Sequence, residues 1–413
     1  MKKFLKYILV LIVVSLIYSA FSGRDSGGSS GSSSSGGHDF VIHADEEQGD
    51  VLGLEDFNFY GDPLVELPEE SLLWAYSQLT SDEQAVYRTL RDAAAAHSVL
   101  RVDLNTPYAT LDRVLDAINY DLPEIFWFDG ELTYYTEYNE NLVSYVELTY
   151  NMTKEDVERT QLQIESYIAG CMASQAMVTA QTDFDRVLAV YRYLVDHTEY
   201  DLAYREDQSV VSLMGEGRAV CRGYAESFCL IMHRLGIPCT IVEGLSSQDW
   251  VLSDDGHAWN AVMLDGQWYN IDPTWGDPIW EAGSDPTTPA DGYILVNDEL
   301  FDRDHTDFSK MGSPVCTSMD LNYHGVYGLL HSVWSEEYFR WAVQAQLDLG
   351  LPWAQVRYDN YEAYYQAKTA LIDNDGLGDI VVDLGFGKKE GNYTTWSYNY
   401  DDTTGVIMVK LIY

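Results

Sequence analysis

Positive charge is what this 413-residue chain has least of: 24 Lys and Arg stand against 66 Asp and Glu, a formal charge of −42 at pH 7. A field of that sign repels phosphate backbones and anionic lipid, and no basic patch offsets it, so nucleic acid is excluded as a partner. The charge reads as a solubility feature of an exported protein rather than the mark of a cationic partner. Cysteine is scarce too. Its five copies, Cys171, Cys221, Cys229, Cys239 and Cys316, are an odd number, so at least one thiol has no partner within the chain. The other four admit three pairings or none. No internal repeat is present. A calcium loop is also missing: in "DNDGLGD" (373–379) Leu377 stands at a ligand position and Leu384 replaces the closing glutamate. That stretch reads as a turn ending a helix.

The one long apolar run opens the chain, in "MKKFLKYILVLIVVSLIYSAFSG". Lys2, Lys3 and Lys6 precede the apolar Tyr7 to Phe21, and Ala20 and Ser22 offer small residues for cleavage. Residues 1–23 therefore read as a signal peptide or a retained N-terminal anchor, the only expected contact with a membrane. No cysteine follows the run, which argues against lipid modification. Residues 24–60 are a Gly/Ser-rich and then acidic linker unable to bury a core. The location implied is extracellular or at the cell surface.

The whole chain is 46% hydrophobic and 13% aromatic, as a largely globular protein requires. Residues 61–179 read as an N-terminal helix-and-strand region. Ser81 with Gln84 forms a capping box opening a helix through "DEQAVYRTLRDAAAAH", and "TLDRVLDAINY" predicts a second. "PEIFWF", "ELTYYTEY" and "LVSYVELTY" read as strands or extended segments. Thr153 with Asp156 starts a helix to about Met177, and Asp183 starts another to about His197. Residues 319–413 read as a small α+β module. It has helices at 336–349 and 360–373, a strand at 353–358, and a closing hairpin of "YTTWSYNY" and "GVIMVKLIY".

Between them, in 180–318, lies "GRAVCRGYAESFCLIMHRLG" (217–236). Ala225, Phe228, Cys229, Met232 and Leu235 share one helical face, while Arg222 and Glu226 fall on the opposite side. Gly236 and Pro238 stop the helix. Cys221 thus sits at the first turn, where unpaired N–H groups and the positive dipole end stabilise a thiolate. Gly217 and Gly223 are expected to leave room for a substrate. Cys229 and Cys239 read as buried packing residues. A zinc site built from them and His233 lacks a fourth ligand, with His233 expected toward the charged face.

A reactive thiol needs a base, and "GHAWNAVMLDGQWYNIDPTWGDP" supplies one. Asp265-Gly266 signals a type I′ turn. If the turn has two residues, Leu264 opposes Gln267 and, counting back, Trp259 opposes Asp272. His257, Trp259, Asp272 and Thr274 then share a face. His257 and Asp272 become diagonal neighbours, roughly 7–8 Å apart at the backbone, a gap their side chains can span. A three-residue loop would reverse the parity.

Together, "AVCRGYAESF", "GHAWNAV" and "QWYNIDPTWGDP" resemble the transglutaminase-like superfamily, within the papain-like cysteine fold, over roughly residues 180–310. The following "YILVNDELFDRDHT" resembles an extension of bacterial secreted members and makes His305 a secondary candidate. The resemblance implies an α+β class, with the nucleophile helix packed on an antiparallel sheet. It implies Cys221 as nucleophile, His257 as general base and then acid, and Asp272 as orienting carboxylate. The reaction implied is attack on an amide carbonyl of a protein or peptide, by a peptidase or an acyltransferase, with neither metal nor cofactor. The backbone N–H of Cys221 is the first oxyanion donor, with Tyr200 and Trp259 as oxyanion or cleft candidates. The alternative is a non-catalytic surface adhesion or scaffold protein on the same fold.

Overall fold

A computed structural model describes residues 60–136, 142–204, 209–246, 256–277, 290–385, 388–390 and 393–410. The expected export segment and almost all of the linker lie outside them. Among the described residues no helix is long and apolar enough to cross a membrane. The class is α+β.

In the N-terminal region, Thr80 opens helix α1 (Ser81–Ala95): its side chain accepts from the Glu83 N–H, and Glu83 accepts from the Thr80 N–H. The cap lies one residue before the expected Ser81, because Thr80 holds the extended backbone a cap needs. Strand β1 (Val102–Pro107) leads into α2 (Tyr108–Asp121), and β2 (Leu132–Tyr135) and β3 (Leu142–Leu148) complete an antiparallel sheet in the order β1-β3-β2. "PEIFWF" is not a strand. Pro123 starts a 3-10 turn, Pro123–Ile125, and the fully buried Trp127 donates its indole N–H to the Ala94 carbonyl. The aromatic run fills the core instead of pairing. Helix α3 (Lys154–Met172) ends earlier than expected, since Ser174 caps a separate short helix, Gln175–Thr179.

The centre of the molecule follows. Helix α4 (Asp183–His197) precedes strand β4 (Glu199–Tyr200), helix α5 (Val210–Glu216), strand β5 (Arg218–Ala219) and helix α6 (Cys221–Arg234). Strands β6 (Cys239–Ser246), β7 (His257–Leu264), β8 (Gln267–Ile271) and β9 (His305–Asp307) form an antiparallel sheet, ordered β8-β7-β6-β9, on which α6 packs. One hydrophobic core takes residues from Val65 through Leu295, so the N-terminal helices and this sheet share it.

A second core lies under the C-terminal sheet, ordered β10-β11-β15-β14, of β10 (Leu330–His331), β11 (Trp353–Tyr358), β14 (Ser397–Asp401) and β15 (Val406–Lys410). Helix α7 (Glu336–Asp348) precedes β11, and α8 (Tyr361–Lys368) runs into a π-helical turn ending at Asp373. "DNDGLGD" does end that helix, and it also begins α9 (Gly376–Asp383). Strands β12 (Lys388–Glu390) and β13 (Tyr393–Thr395) pair separately.

Gly244 of β6 lies opposite His257 of β7. A Cβ there would overlap the Thr306 carbonyl oxygen and the Trp259 ring. Overpacking against backbone cannot relax cheaply. Gly244→Ala is expected to cost at least about 2 kcal/mol. Urea denaturation checks this as a lowered midpoint at unchanged slope.

Candidate active site

Gly217, in the left-handed region at φ 70, ends α5 and turns the chain into β5, which pairs in parallel with β4. Val220 is extended and caps α6, so Cys221 is its first helical residue. The amide at that position has no acceptor within the helix. Ala225, Phe228, Cys229 and Met232 are buried, and Gly236 at φ 73 closes the helix. Gly223 does not open space for a substrate. A Cβ there would lie 2.7 Å from Ala219 Cβ and 3.1 Å from the Ser209 carbonyl, so its smallness serves packing.

Two residues of α6 are more deeply placed than a helical wheel implies. Arg222 pairs with Glu226 at 2.8 Å, yet it is buried and reaches Glu243 at 2.7 Å and the Asn119 carbonyl at 2.8 Å. His233 does not face the charged side. It is buried, with Nδ1 2.9 Å from Glu124 Oε1 and Nε2 3.1 Å from the Cys239 carbonyl oxygen and 3.6 Å from Cys229 Sγ. Cys171, Cys229, Cys239 and Cys316 are buried and unpaired, and Cys221 is partly exposed. Burial pushes the Cys171 thiol up to about 12 and raises Cys229 and Cys316 as well.

The hairpin has the two-residue turn. Asp265 (φ 51) and Gly266 (φ 75) both have positive φ, and Leu264 pairs with Gln267. The register continues to Asn260 opposite Ile271, which puts Asp272 just past the end of β8. His257 Nε2 meets Asp272 Oδ2 at 2.7 Å. Asp272 Oδ1 accepts from the backbone N–H of Thr274 at 2.8 Å and of Trp275 at 3.3 Å. Cys221 lies within hydrogen-bonding reach of the same imidazole. With Nε2 held by Asp272, Nδ1 is the nitrogen left for the thiol.

Both partners are buried, Asp272 completely. Burial works against a charged ring, but the charge and hydrogen bond of Asp272, aided by Cys221, overcome it and hold His257 well above the ordinary imidazole value. Burial would likewise raise Asp272. The charge of His257 and hydrogen bonds from His257 and His305 outweigh it and keep the carboxyl far below the usual carboxylate range.

His305, at the start of β9, is a member of this cluster: Nε2 lies 3.3 Å from Asp272 Oδ2, and Nδ1 lies 2.7 Å from Asp304 Oδ1. No spacing rule links positions 272 and 305, so resemblance alone could mark it. Donor atoms of His257, Asp272 and His305 converge within 4.8 Å, a two-imidazole, one-carboxylate set that divalent metals accept. The hydrogen bonds between them account for the same convergence.

Among the described residues that line the cleft beside Cys221, neither Tyr200 nor Trp259 is found. A cleft of about 170 Å³ is lined by Cys221, Arg222, Glu243, Gly256, His257, Ala258 and Phe308. Trp259 is 2% exposed and packs on Phe301 at 5.2 Å between ring centroids, so its indole belongs to the core. Tyr200 lies on β4, its backbone N–H donating to Asp277.

The model of the transglutaminase-like superfamily matches residues 172–273. The human kyphoscoliosis peptidase is 29% identical over 147 residues, 32% of this chain and 22% of that protein. The mouse kyphoscoliosis peptidase is 28% identical over 165 residues, 37% and 25% of the two chains. The chain thus spans about a quarter of the length of these relatives. The crystal structure of a TGase aligns with 42% of this chain and 57% of its own, at 18% identity and a TM-score of 0.26. The stretch that is similar to the transglutaminase-like superfamily, residues 172–273, thus includes Cys221, His257 and Asp272.

Proposed function

We propose that the protein is an exported, cysteine-dependent enzyme that acts on amide bonds of proteins or peptides through a thioester acyl-enzyme. The observation that carries this reading is His257, bonded at Nε2 to a buried carboxylate and facing the one partly exposed cysteine among the described residues. Cys221 gives its proton to His257 and attacks the carbonyl carbon. The Cys221 backbone N–H donates to the oxyanion, and His257 then protonates the leaving amine as the C–N bond breaks. Water or an amine, deprotonated by His257, releases the acyl group. Asp272 holds the ring in the orientation both transfers need. The name peptidase carried by the human and mouse relatives favours water as the acceptor. Location outside the cytoplasm, free or anchored through residues 1–23, rests on the lysines and apolar run of that segment.

Cys221 is expected to take iodoacetamide at least about tenfold faster than the other four cysteines near neutral pH, since they are buried. Peptide mapping after brief labelling checks this, and His257→Ala should abolish the preference. Sluggish labelling unaffected by that change would instead favour a scaffold.

The reaction is read by incubating the protein with a glutamine-rich protein and a fluorescent primary amine. Cleavage without incorporation, lost in Cys221→Ala, identifies a peptidase; incorporation lost in the same variant identifies an acyltransferase. Asp272→Asn, which leaves the ring without its anion, should lower whichever rate is seen by at least about a thousandfold.

A further inference from the structure

We infer that His305 is a positioning residue, a second imidazole that clamps Asp272 and extends the hydrogen-bonded chain behind Cys221 to Asp304 and Tyr293. The inference rests on the proposed role of Asp272. It concerns how that carboxylate is kept ionised and aimed in a place without water.

The ring of His305 cannot swing away. It is 1% exposed and stacks on Phe301, with centroids 4.0 Å apart and planes at 28°. Trp275, Tyr293 and Trp259 enclose it at 4.9, 5.2 and 5.4 Å. Held so, Nε2 faces Asp272 Oδ2, the same oxygen that accepts from His257, and Nδ1 faces Asp304 Oδ1. The Tyr293 hydroxyl donates to the other oxygen of Asp304. A histidine that merely fills a core needs one acceptor at most. Here both nitrogens meet carboxylate oxygens, which accept, so the clamp needs an N–H on each. The groups facing the ring are Asp272, Asp304, the Tyr293 hydroxyl and His257, whose ring centroid is 5.5 Å away; Asp302 lies further off. Imidazole and carboxylate therefore alternate inward from the thiol: His257, Asp272, His305, Asp304. A second donor behind Asp272 offsets the desolvation of a buried anion and leaves Oδ2 with two donors at a fixed angle.

The test is nitrogen-15 NMR of the full chain labelled at histidine, with His305 assigned through His305→Gln. The clamp requires two protonated ring nitrogens near neutral pH, with N–H protons shifted downfield by their carboxylate acceptors. Asp304→Asn should remove the second proton while leaving the fold intact by circular dichroism. Loss of the doubly protonated ring that the clamp requires makes neighbouring protons harder to release. The onset of Cys221 alkylation in His305→Gln and Asp304→Asn should therefore move up by about one pH unit, an about tenfold slower rate on the acid side. A singly protonated His305 in the unaltered protein overturns the inference. So does a rate that falls in the variants with no movement of the onset, as core filling alone would give. Stoichiometric zinc retained by the protein and lost in His305→Gln would also overturn it. The NMR result stands whether or not Cys221 reacts, so failure of the clamp and failure of the proposed reaction are told apart.

Discussion

A carboxylate removed from water must be matched donor by donor, and the site is organised around one that is. Asp272 has no exposed surface, and its two oxygens collect two imidazole N–H groups and two backbone N–H groups. Burial alone would neutralise it, and those donors reverse the balance. Its anion then raises His257 and settles which nitrogen of that ring remains for Cys221. Much else in the central sheet can be understood as what brings those donors to one place. The Asp-Pro-Thr-Trp turn after β8 aims two amides at one oxygen, and β7 delivers His257 to the other.

Packing supplies the dryness this requires. Trp259, Trp275, Tyr293 and Phe301 enclose His305, and Gly244 lets the Trp259 ring lie across β6 beside the site. On the other flank, Arg222 is shared by Glu226 and Glu243, so the guanidinium that lines the cleft beside Cys221 is matched by acid on both sides. The guanidinium also reaches the Asn119 carbonyl on α2 and so ties the nucleophile helix to the N-terminal region.

Local signals made part of this readable from sequence. Asp265-Gly266 favours a two-residue turn, and the strand period of two then sets which side chains share a face, so the meeting of His257 and Asp272 could be counted out on that turn. Cys221 was legible at a helix start because the apolar stripe after it and the Gly236–Pro238 stop bound the helix at both ends. The failures have equally definite causes. Thr80 and Ser81 can both cap, and only backbone angles choose between them. An aromatic run such as "PEIFWF" suits a strand or a core-filling turn alike, and Pro123 decided for the turn. Arg222 and His233 were assigned to a polar face because a helical wheel knows nothing of Asn119, Glu124 or Glu243, which come from other elements. Trp259 is buried for the same reason: exposure is a tertiary property.

The buried Arg222 has a bearing on how the protein can be dissected. Its guanidinium spans the seam between the stretch that matches the superfamily and the helices preceding it, and Thr240 and Asp121 bridge the same seam at 3.1 Å. The apolar interior is continuous across that seam. A fragment trimmed to the matching stretch would leave a cation without its carbonyl and one wall of its interior wet. The smallest autonomous unit is therefore larger than the homologous one, and the preceding helices are foundation rather than appendage.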